Sequence, residues 1–188
     1  MSIQPIFSQA LSDLTDLLPK LAPLTPQLQK LADTMMSCWN KRGKILIAGN
    51  GGSSTDAMHF AEELVARFQK NRRALAAIAL CDPSVITCTA NDFGYDQVFS
   101  RQIEALGNPG DLFIGLTTSG NSPNILRALQ SAKSQNLFTA SFLGNDGGKA
   151  KGLADIELIV PAQSSALIQA GHQLFYHTLC QWVDGQIS

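Results

Sequence analysis

Residues 44–68 read KILIAGNGGSSTDAMHFAEELVARF, and this stretch decides how the rest of the chain is interpreted. Its apolar run Ile45–Ala48 ends at a glycine-rich turn, which predicts a strand buried on both faces. The turn Gly49–Ser54 can adopt positive φ angles and lets a ligand approach the backbone closely. Apolar residues then recur at helical spacing, which predicts a helix with Ser53 or Ser54 as its N-cap.

A strand, a Gly/Ser turn and a helix N-terminus together predict a site for a phosphate or for sugar hydroxyls, because the first N–H groups of a helix are unpaired. The turn is neither G-x-G-x-x-G nor G-x-x-x-x-G-K-[ST], which weakens a dinucleotide or nucleoside-triphosphate interpretation. His59 and Glu63 lie four residues apart and share one face of the predicted helix. Such a pair is commonly a solvated surface pair, so the rest of the chain must decide whether it is a site.

Composition limits the classes of function. The chain has 188 residues, 45% of them hydrophobic and 15% charged, which predicts one domain with part of its surface buried against other subunits. A net charge of −1 without a basic block argues against a nucleic-acid partner. Neither a signal peptide nor an apolar run near the roughly 18 residues of a membrane span is visible. The cysteines show no C-x-x-C motif and are predicted to be reduced core residues of a cytoplasmic protein: Cys38, Cys81, Cys88 and Cys180.

The remaining chain alternates between predicted strands and predicted helices. An amphipathic helix is expected over 3–18, ended by the prolines at 19, 23 and 26, and a second helix over 25–40. Further strands are expected at 75–80, 112–116, 138–143 and 156–160. Further helices are expected at 85–90, at 97–106, after Pro123 and at 166–183. This order predicts a single α/β domain with a parallel five-stranded sheet flanked by helices on both faces. Residues 1–42 are predicted to be N-terminal helices for packing or oligomerisation, and 43–188 are predicted to be the α/β core.

Ligands of parallel sheets bind beyond the carboxyl ends of the strands. Two of these ends, Gly49–Ser54 and Thr117–Ser122, are rich in Gly, Ser, Thr and Asn. Two such loops at one sheet edge fit a sugar phosphate better than a nucleotide, because one can bind the phosphate and the other the polyol. We expect the phosphate at Thr117–Ser122, where Ser122 and Pro123 predict a helix N-terminus whose dipole favours an anion.

Four segments resemble a known family: GNGGSSTDAMHFAEEL at 49–64, TANDFGYDQVFSRQIEALGNPGD at 89–111, TTSGNSPN at 117–124 and NDGGKAKGLADIELIVP at 145–161. In this order and spacing, over about 45–183, they are similar to the sugar isomerase (SIS) domain and, within it, to the phosphoheptose isomerases. The resemblance implies an aldose–ketose isomerase that acts through an enediol on D-sedoheptulose 7-phosphate, for the heptose of bacterial lipopolysaccharide. It also implies a homotetramer with active sites at subunit interfaces.

The resemblance implies roles for individual residues. The substrate-binding positions are Asn50, Gly51, Gly52, Ser53, Glu63, Asn91, Asp92, Thr117, Thr118, Ser119, Ser122 and Gln169. The positions for one divalent metal, usually zinc, are His59, Glu63, Gln169 and His177. Glu63 and His177 are the proton-transfer pair, which suits a reaction that needs a base, an acid partner and a polarising group. His172 faces elsewhere on the helical wheel and is predicted to be a packed or interface histidine.

Two departures from the family pattern keep alternatives open. The family usually reads Arg-Ile-Gln-Glu where this chain has Leu167-Ile168-Gln169-Ala170, so an ion-pairing group and a carboxylate are missing. An isomerase of another phosphosugar therefore stays possible. A second alternative is a non-catalytic binding module resembling the DnaA initiator-associating protein, in which the glutamate of the first helix is absent. The presence of both Glu63 and His177 here favours the enzyme.

Overall fold

The computed structural model describes residues 2–187, and within this range the chain forms five strands and seven α-helices. The strands are β1 (Ile45–Gly49), β2 (Ala77–Ala79), β3 (Leu112–Thr117), β4 (Phe138–Gly144) and β5 (Ile156–Val160). The helices are α1 (Gln4–Leu21), α2 (Thr25–Asn40), α3 (Gly52–Val65), α4 (Pro83–Phe93), α5 (Ser100–Leu106), α6 (Pro123–Ser134) and α7 (Ser165–Gln186).

The strands form one parallel sheet in the order β2-β1-β3-β4-β5. The chain order reverses between β1 and β3, which pair from Ile45 with Leu112 to Gly49 with Leu116. Such a reversal opens a crevice beyond the carboxyl ends of the two strands, where ligands of open α/β sheets bind. The two polar loops predicted from the sequence follow these two strands, so the topology brings them to one crevice.

Helices cover both faces of the sheet, as predicted. One apolar cluster joins the sheet to α2, α3 and α7 and contains Phe60, Phe142 and Phe175. A second cluster on the opposite face joins the sheet to α5 and α6 and contains Phe113 and Leu129. Each of these side chains is at most 1% exposed, and burying one stabilises the fold by roughly 1.5–3 kcal/mol. Burial from both sides explains why β1 is apolar throughout and β3 is apolar up to its last residue, Thr117.

The N-terminal helix differs from its prediction. It continues through Pro19 to Leu21 instead of ending before the proline, and the break comes at a 3₁₀ turn, Ala22–Leu24. Pro19 removes the hydrogen bond that an N–H at this position would donate within α1, and the helix ends two residues later, at Leu21. Only the end of the predicted apolar stripe packs on the rest of the chain. Five side chains of the stripe are at least 47% exposed: Ile3, Ile6, Phe7, Leu11 and Leu18.

Three other boundaries also differ. Strand β2, at the edge of the sheet beside β1, pairs over three residues, against the six predicted. Helix α4 extends to Phe93, so Asn91 and Asp92 lie in its last turn and not in a loop. Gly94, with φ +96°, ends this helix. A 3₁₀ turn, Tyr95–Gln97, then replaces the start of the predicted helix over 97–106.

The four cysteines are all free thiols, but they do not share one environment. Cys38 and Cys180 are buried, as predicted. Cys81 is half-buried and Cys88 is exposed, so the prediction that all four are core residues is wrong for these two. Among residues 2–187, no helix combines the length and apolar character needed to cross a bilayer.

Candidate active site

The loop between β1 and α3 forms one side of the crevice. Gly51, with φ +54°, is the N-cap of α3, so Ser53 and Ser54 lie inside the first helical turn and neither is the predicted cap. The Gln169 carboxamide lies so close to Gly52 that a Cβ there would overlap it. Glycine at this position therefore leaves room for the end of the Gln169 side chain beside the predicted substrate loop.

Asn50 links the two predicted loops through its side chain. Its Nδ2 donates to Asn124 Oδ1 at 2.9 Å, and Asn124 Nδ2 donates back to Asn50 Oδ1 at 2.8 Å. The Tyr95 hydroxyl donates to the same Asn50 oxygen at 3.1 Å. Asn124 and Tyr95 were not among the predicted site residues, although Asn124 is the last residue of the TTSGNSPN motif. With Ser122 they border a cleft of about 420 Å³ at the sheet edge.

Hydroxyl groups bond to one another in the loop between β3 and α6. Thr117 Oγ1 lies 3.1 Å from Ser122 Oγ, and Ser122 is the N-cap of α6 as predicted. Thr118 Oγ1 lies 3.3 Å from Ser165 Oγ, at the start of α7. Ser119 Oγ accepts the Asn121 N–H at 3.1 Å. The loop therefore presents oriented hydroxyls beside a helix N-terminus, which is a suitable environment for an anion.

Asn91 and Asp92 are exposed at the end of α4. Asn91 Nδ2 donates to Asp92 Oδ1 at 2.7 Å, and the Cys88 thiol lies 3.5 Å from the other Asp92 oxygen. Within residues 2–187, no hydrogen bond joins this pair to the predicted loops or to the helical histidines. In the single chain the pair is thus available to a ligand or to another subunit.

Three predicted metal ligands meet where α3 and α7 pack together. His59 Nε2 lies 3.1 Å from Glu63 Oε1, and the His59 and His177 ring centroids are 5.1 Å apart. One ligand atom from each of His59, Glu63 and His177 lies within 4.8 Å of the others. Two imidazoles and a carboxylate form a set that binds a divalent ion such as zinc. Gln169, the predicted fourth ligand, lies on the same helix as His177, with its carboxamide against Gly52.

The environment of His177 suits a metal ligand or a proton carrier. Its Nε2 is buried and has no hydrogen-bond partner in the part of the chain that the structure describes. The pKa of His177 is lowered, chiefly by burial and also by the His59 ring, while the Glu63 carboxylate opposes the shift. The Phe68 ring stacks on His177 with centroids 5.4 Å apart. A neutral imidazole with an unused, buried nitrogen is what a divalent ion requires.

A buried ion pair joins the ends of the two helices that carry the cluster. Arg72 Nε donates to Asp184 Oδ1 at 2.8 Å, and Arg72 Nη2 donates to the backbone carbonyl of Glu63 at 2.7 Å. Asp184 also accepts the N–H groups of Gln69 and Lys70. Burial opposes ionisation of Asp184, but these N–H groups and Arg72 outweigh it and lower the pKa of the carboxyl. The pair holds Glu63 and the segment bearing Phe68 against α7.

Two further residues near the cluster have contrasting positions. Tyr176, which was not predicted to belong to the site, places its hydroxyl 3.1 Å from His59 Nδ1. His172 is fully buried on the sheet side of α7, with Nε2 3.1 Å from the Leu143 carbonyl oxygen. His172 is therefore a packed histidine of this chain, and it is absent from the described metal-ligand cluster.

Comparison with known proteins agrees with this geometry. The sequence profile of the SIS domain matches residues 11–144. The phosphoheptose isomerase of Fusobacterium nucleatum is 49% identical over 158 residues, 84% of this chain and 81% of that protein. The phosphoheptose isomerase of Trichlorobacter lovleyi is 44% identical over 97% of this chain and 94% of its own length. The solved structure of the Francisella tularensis phosphoheptose isomerase superposes with a TM-score of 0.94 at 35% identity, covering 98% of this chain and all of that one.

Proposed function

Because the chain belongs to the phosphoheptose isomerases of the SIS-domain family, we propose that it converts D-sedoheptulose 7-phosphate to D-glycero-D-manno-heptose 7-phosphate. The product would supply the heptose of lipopolysaccharide. The observation that carries this proposal is the meeting of Glu63 with His59 and His177 on two helices that border the crevice. The presence of Glu63 favours an isomerase over the non-catalytic binding module, in which this glutamate is absent.

We assign proton transfer to Glu63 and His177. Glu63 removes a proton from C1 of the ketose, and the electron pair forms the C1–C2 double bond of an enediol while the C2 carbonyl oxygen gains a proton. A proton then returns to C2 as the C1 hydroxyl loses its own, which leaves the aldose. His177 serves as the acid–base partner for the oxygens, which suits its lowered pKa.

Zinc is the metal we propose for this site. His59, Glu63 and His177 would hold it, with Gln169 as the fourth ligand, and their chemistry fits a divalent ion. When bound, zinc would polarise the carbonyl and stabilise the charge of the enediol. A carboxylate or an imidazole that binds a cation is a weaker base, so metal binding competes with the proton-transfer roles of Glu63 and His177.

We assign the substrate phosphate to the Thr117–Ser122 loop and the N-terminus of α6. The hydroxyls of Thr117, Thr118, Ser119 and Ser122 are grouped there beside the helix dipole. The polyol would meet the loop of Asn50, Gly51, Gly52 and Ser53, together with Gln169, which already touches that loop. Asn91 and Asp92 complete the substrate set.

We further propose a cytoplasmic homotetramer in which sites lie at subunit interfaces. The exposed apolar face of α1 supports the assembly, since Phe7 and Leu11 are 62% and 50% exposed in the single chain. The exposed pair Asn91 and Asp92 supports shared sites, because an adjacent subunit could receive it. The cytoplasmic location is supported by the four cysteines, which are all free thiols, as is usual in a reducing compartment.

The test of the proposed reaction is incubation of the protein with sedoheptulose 7-phosphate, with NMR detection of the aldose heptose phosphate. Formation of the aldose at a rate proportional to enzyme concentration supports the proposal. Binding without turnover would support the binding module. Absence of both, together with isomerisation of a different phosphosugar, would show that Leu167 and Ala170 mark a changed substrate.

A further inference from the structure

Both nitrogens of the His59 ring have a partner of their own. The Nδ1 atom lies 3.1 Å from the Tyr176 hydroxyl, and the Nε2 atom lies 3.1 Å from Glu63 Oε1. Tyr176 is fully buried, and its ring meets the imidazole edge-on with centroids 5.3 Å apart. The position of the tyrosine hydroxyl therefore fixes the orientation of the imidazole.

With a neutral imidazole, these two contacts allow only two arrangements of protons. A neutral imidazole carries one N–H. If that proton is on Nε2, it is donated to Glu63, and the tyrosine hydroxyl donates to Nδ1. If Nε2 uses its lone pair to bind a metal, the proton must be on Nδ1 and is donated to the tyrosine oxygen. A hydroxyl can serve in both arrangements because it is both a donor and an acceptor, whereas a phenyl ring can serve in neither.

In the second arrangement the proton of the tyrosine hydroxyl needs a new acceptor. Asp56 lies three residues before His59 on the same face of α3. Its Oδ2 is buried and has no hydrogen-bond partner within residues 2–187. The pKa of this carboxyl is raised, chiefly by burial, while the His59 ring and the Tyr176 hydroxyl oppose the shift. Asp56 thus offers an unused buried acceptor on the face of α3 that carries His59.

We propose that Tyr176, backed by Asp56, is a positioning residue that holds His59 in the tautomer and orientation that present Nε2 to a divalent metal. This inference rests on the metal site proposed above and extends it from the ligands to the groups behind them. Partners of this kind behind a histidine ligand fix its tautomer and increase its basicity, and removing one typically weakens metal binding 10–100-fold. Neither residue touches the reacting atoms of the sugar in this scheme.

The first measurement is the zinc affinity of the purified protein, by competition with a chromophoric chelator. We expect Y176F to bind zinc about 10–100-fold more weakly than wild type. D56A should weaken binding in the same direction, because the hydroxyl proton loses its acceptor. Y95F is the matched control, since Tyr95 is the other of the two tyrosines and its hydroxyl bonds to Asn50. It should leave zinc affinity unchanged.

The second measurement is the tautomer of His59, by long-range ¹H–¹⁵N NMR of protein labelled at histidine. The chain has three histidines, so each ring can be assigned by single substitution. With zinc bound, wild-type His59 should carry its proton on Nδ1, and Y176F should show a second population in which the ring has turned, so that Nδ1 binds zinc and the proton is on Nε2. A loss of packing alone would not change the tautomer, so this readout separates positioning from stability.

The possible outcomes distinguish this inference from the proposal on which it rests. If wild type does not bind zinc, the metal site is wrong and the inference fails with it. If wild type binds zinc and Y176F binds it equally well, only the inference is wrong. If Y176F does not fold, D56A decides through the same two measurements. Gln173 lies three residues before Tyr176 on the same face of α7, so a larger effect of Q173A than of D56A would overturn the part assigned to Asp56.

Discussion

Glu63 is the single residue on which catalysis should depend most. The substitution E63Q keeps the shape of the side chain and most of its hydrogen bonding but removes the base. A general base contributes about 10²–10⁴-fold, so kcat should fall by that factor while the phosphosugar still binds. H177Q should also lower kcat, because it removes the acid–base partner.

The measurement specific to Glu63 is exchange of the substrate C1 proton with deuterated solvent, followed by NMR. E63Q should exchange this proton far more slowly than wild type. H172Q is the matched control, since His172 is on the same helix as His177 but is buried against Leu143. Exchange by E63Q at the wild-type rate would show that another group is the base.

His172 should instead determine how stability depends on pH. Burial, opposed by the bond to the Leu143 carbonyl, lowers the pKa of His172 from 6.5 to about 4. At pH 5 the unfolded chain binds a proton that the folded chain does not, so stability falls as pH drops from about 6.5 towards 4. The loss between pH 7 and pH 5 should be about 2 kcal/mol.

Urea unfolding at fixed protein concentration, at pH 7 and pH 5, tests this expectation. H172Q removes the titrating group and keeps a donor for the carbonyl, so its free energy of unfolding should change less between the two pH values. An equal pH dependence in wild type and H172Q would mean that other groups dominate the acid sensitivity.

At the scale of elements, the N-terminus of α6 should control affinity for the phosphate. Replacing Ser119 and Ser122 together with alanine removes two hydroxyls, one of which bonds to Thr117. The expected result is a strong increase in KM for the phosphosugar and a smaller change in kcat, since the loop does not carry the base. S134A is the control, because Ser134 is at the far end of α6. A KM unchanged in the double variant would place the phosphate elsewhere.

The elements also show what the sequence could and could not predict. Apolar runs bounded by turn residues located β1, β3, β4 and β5 closely, because the strands of a sheet covered by helices are largely apolar. The same local signals did not locate the end of α4, which depends on the backbone of Gly94. Periodicity along one helix cannot show which residues of a second helix lie opposite. For this reason Tyr176 and the Arg72–Asp184 pair became visible only in three dimensions.

At the scale of the whole molecule, the apolar face of α1 should hold the subunits together. F7D and L11D each place a charge on that face, where Phe7 and Leu11 are exposed in the single chain. Burying a large apolar side chain stabilises an interface by roughly 1.5–3 kcal/mol, and each substitution removes this stabilisation. In a symmetric assembly the same loss occurs at every equivalent interface. Light scattering should therefore give wild type a mass four times that of the 20.2 kDa chain, and give the variants a lower mass.

This test also needs a control variant and a measurement of the turnover of F7D and L11D. S12D adds the same charge next to Leu11, at an exposed position about 100° around α1, and should leave the wild-type mass unchanged. If active sites are shared between subunits, F7D and L11D should lose turnover in step with the loss of assembly, and raising the protein concentration should restore both together. A monomeric wild-type protein at micromolar concentration would contradict the assembly. Full turnover by dissociated L11D would show that each site is complete within one chain.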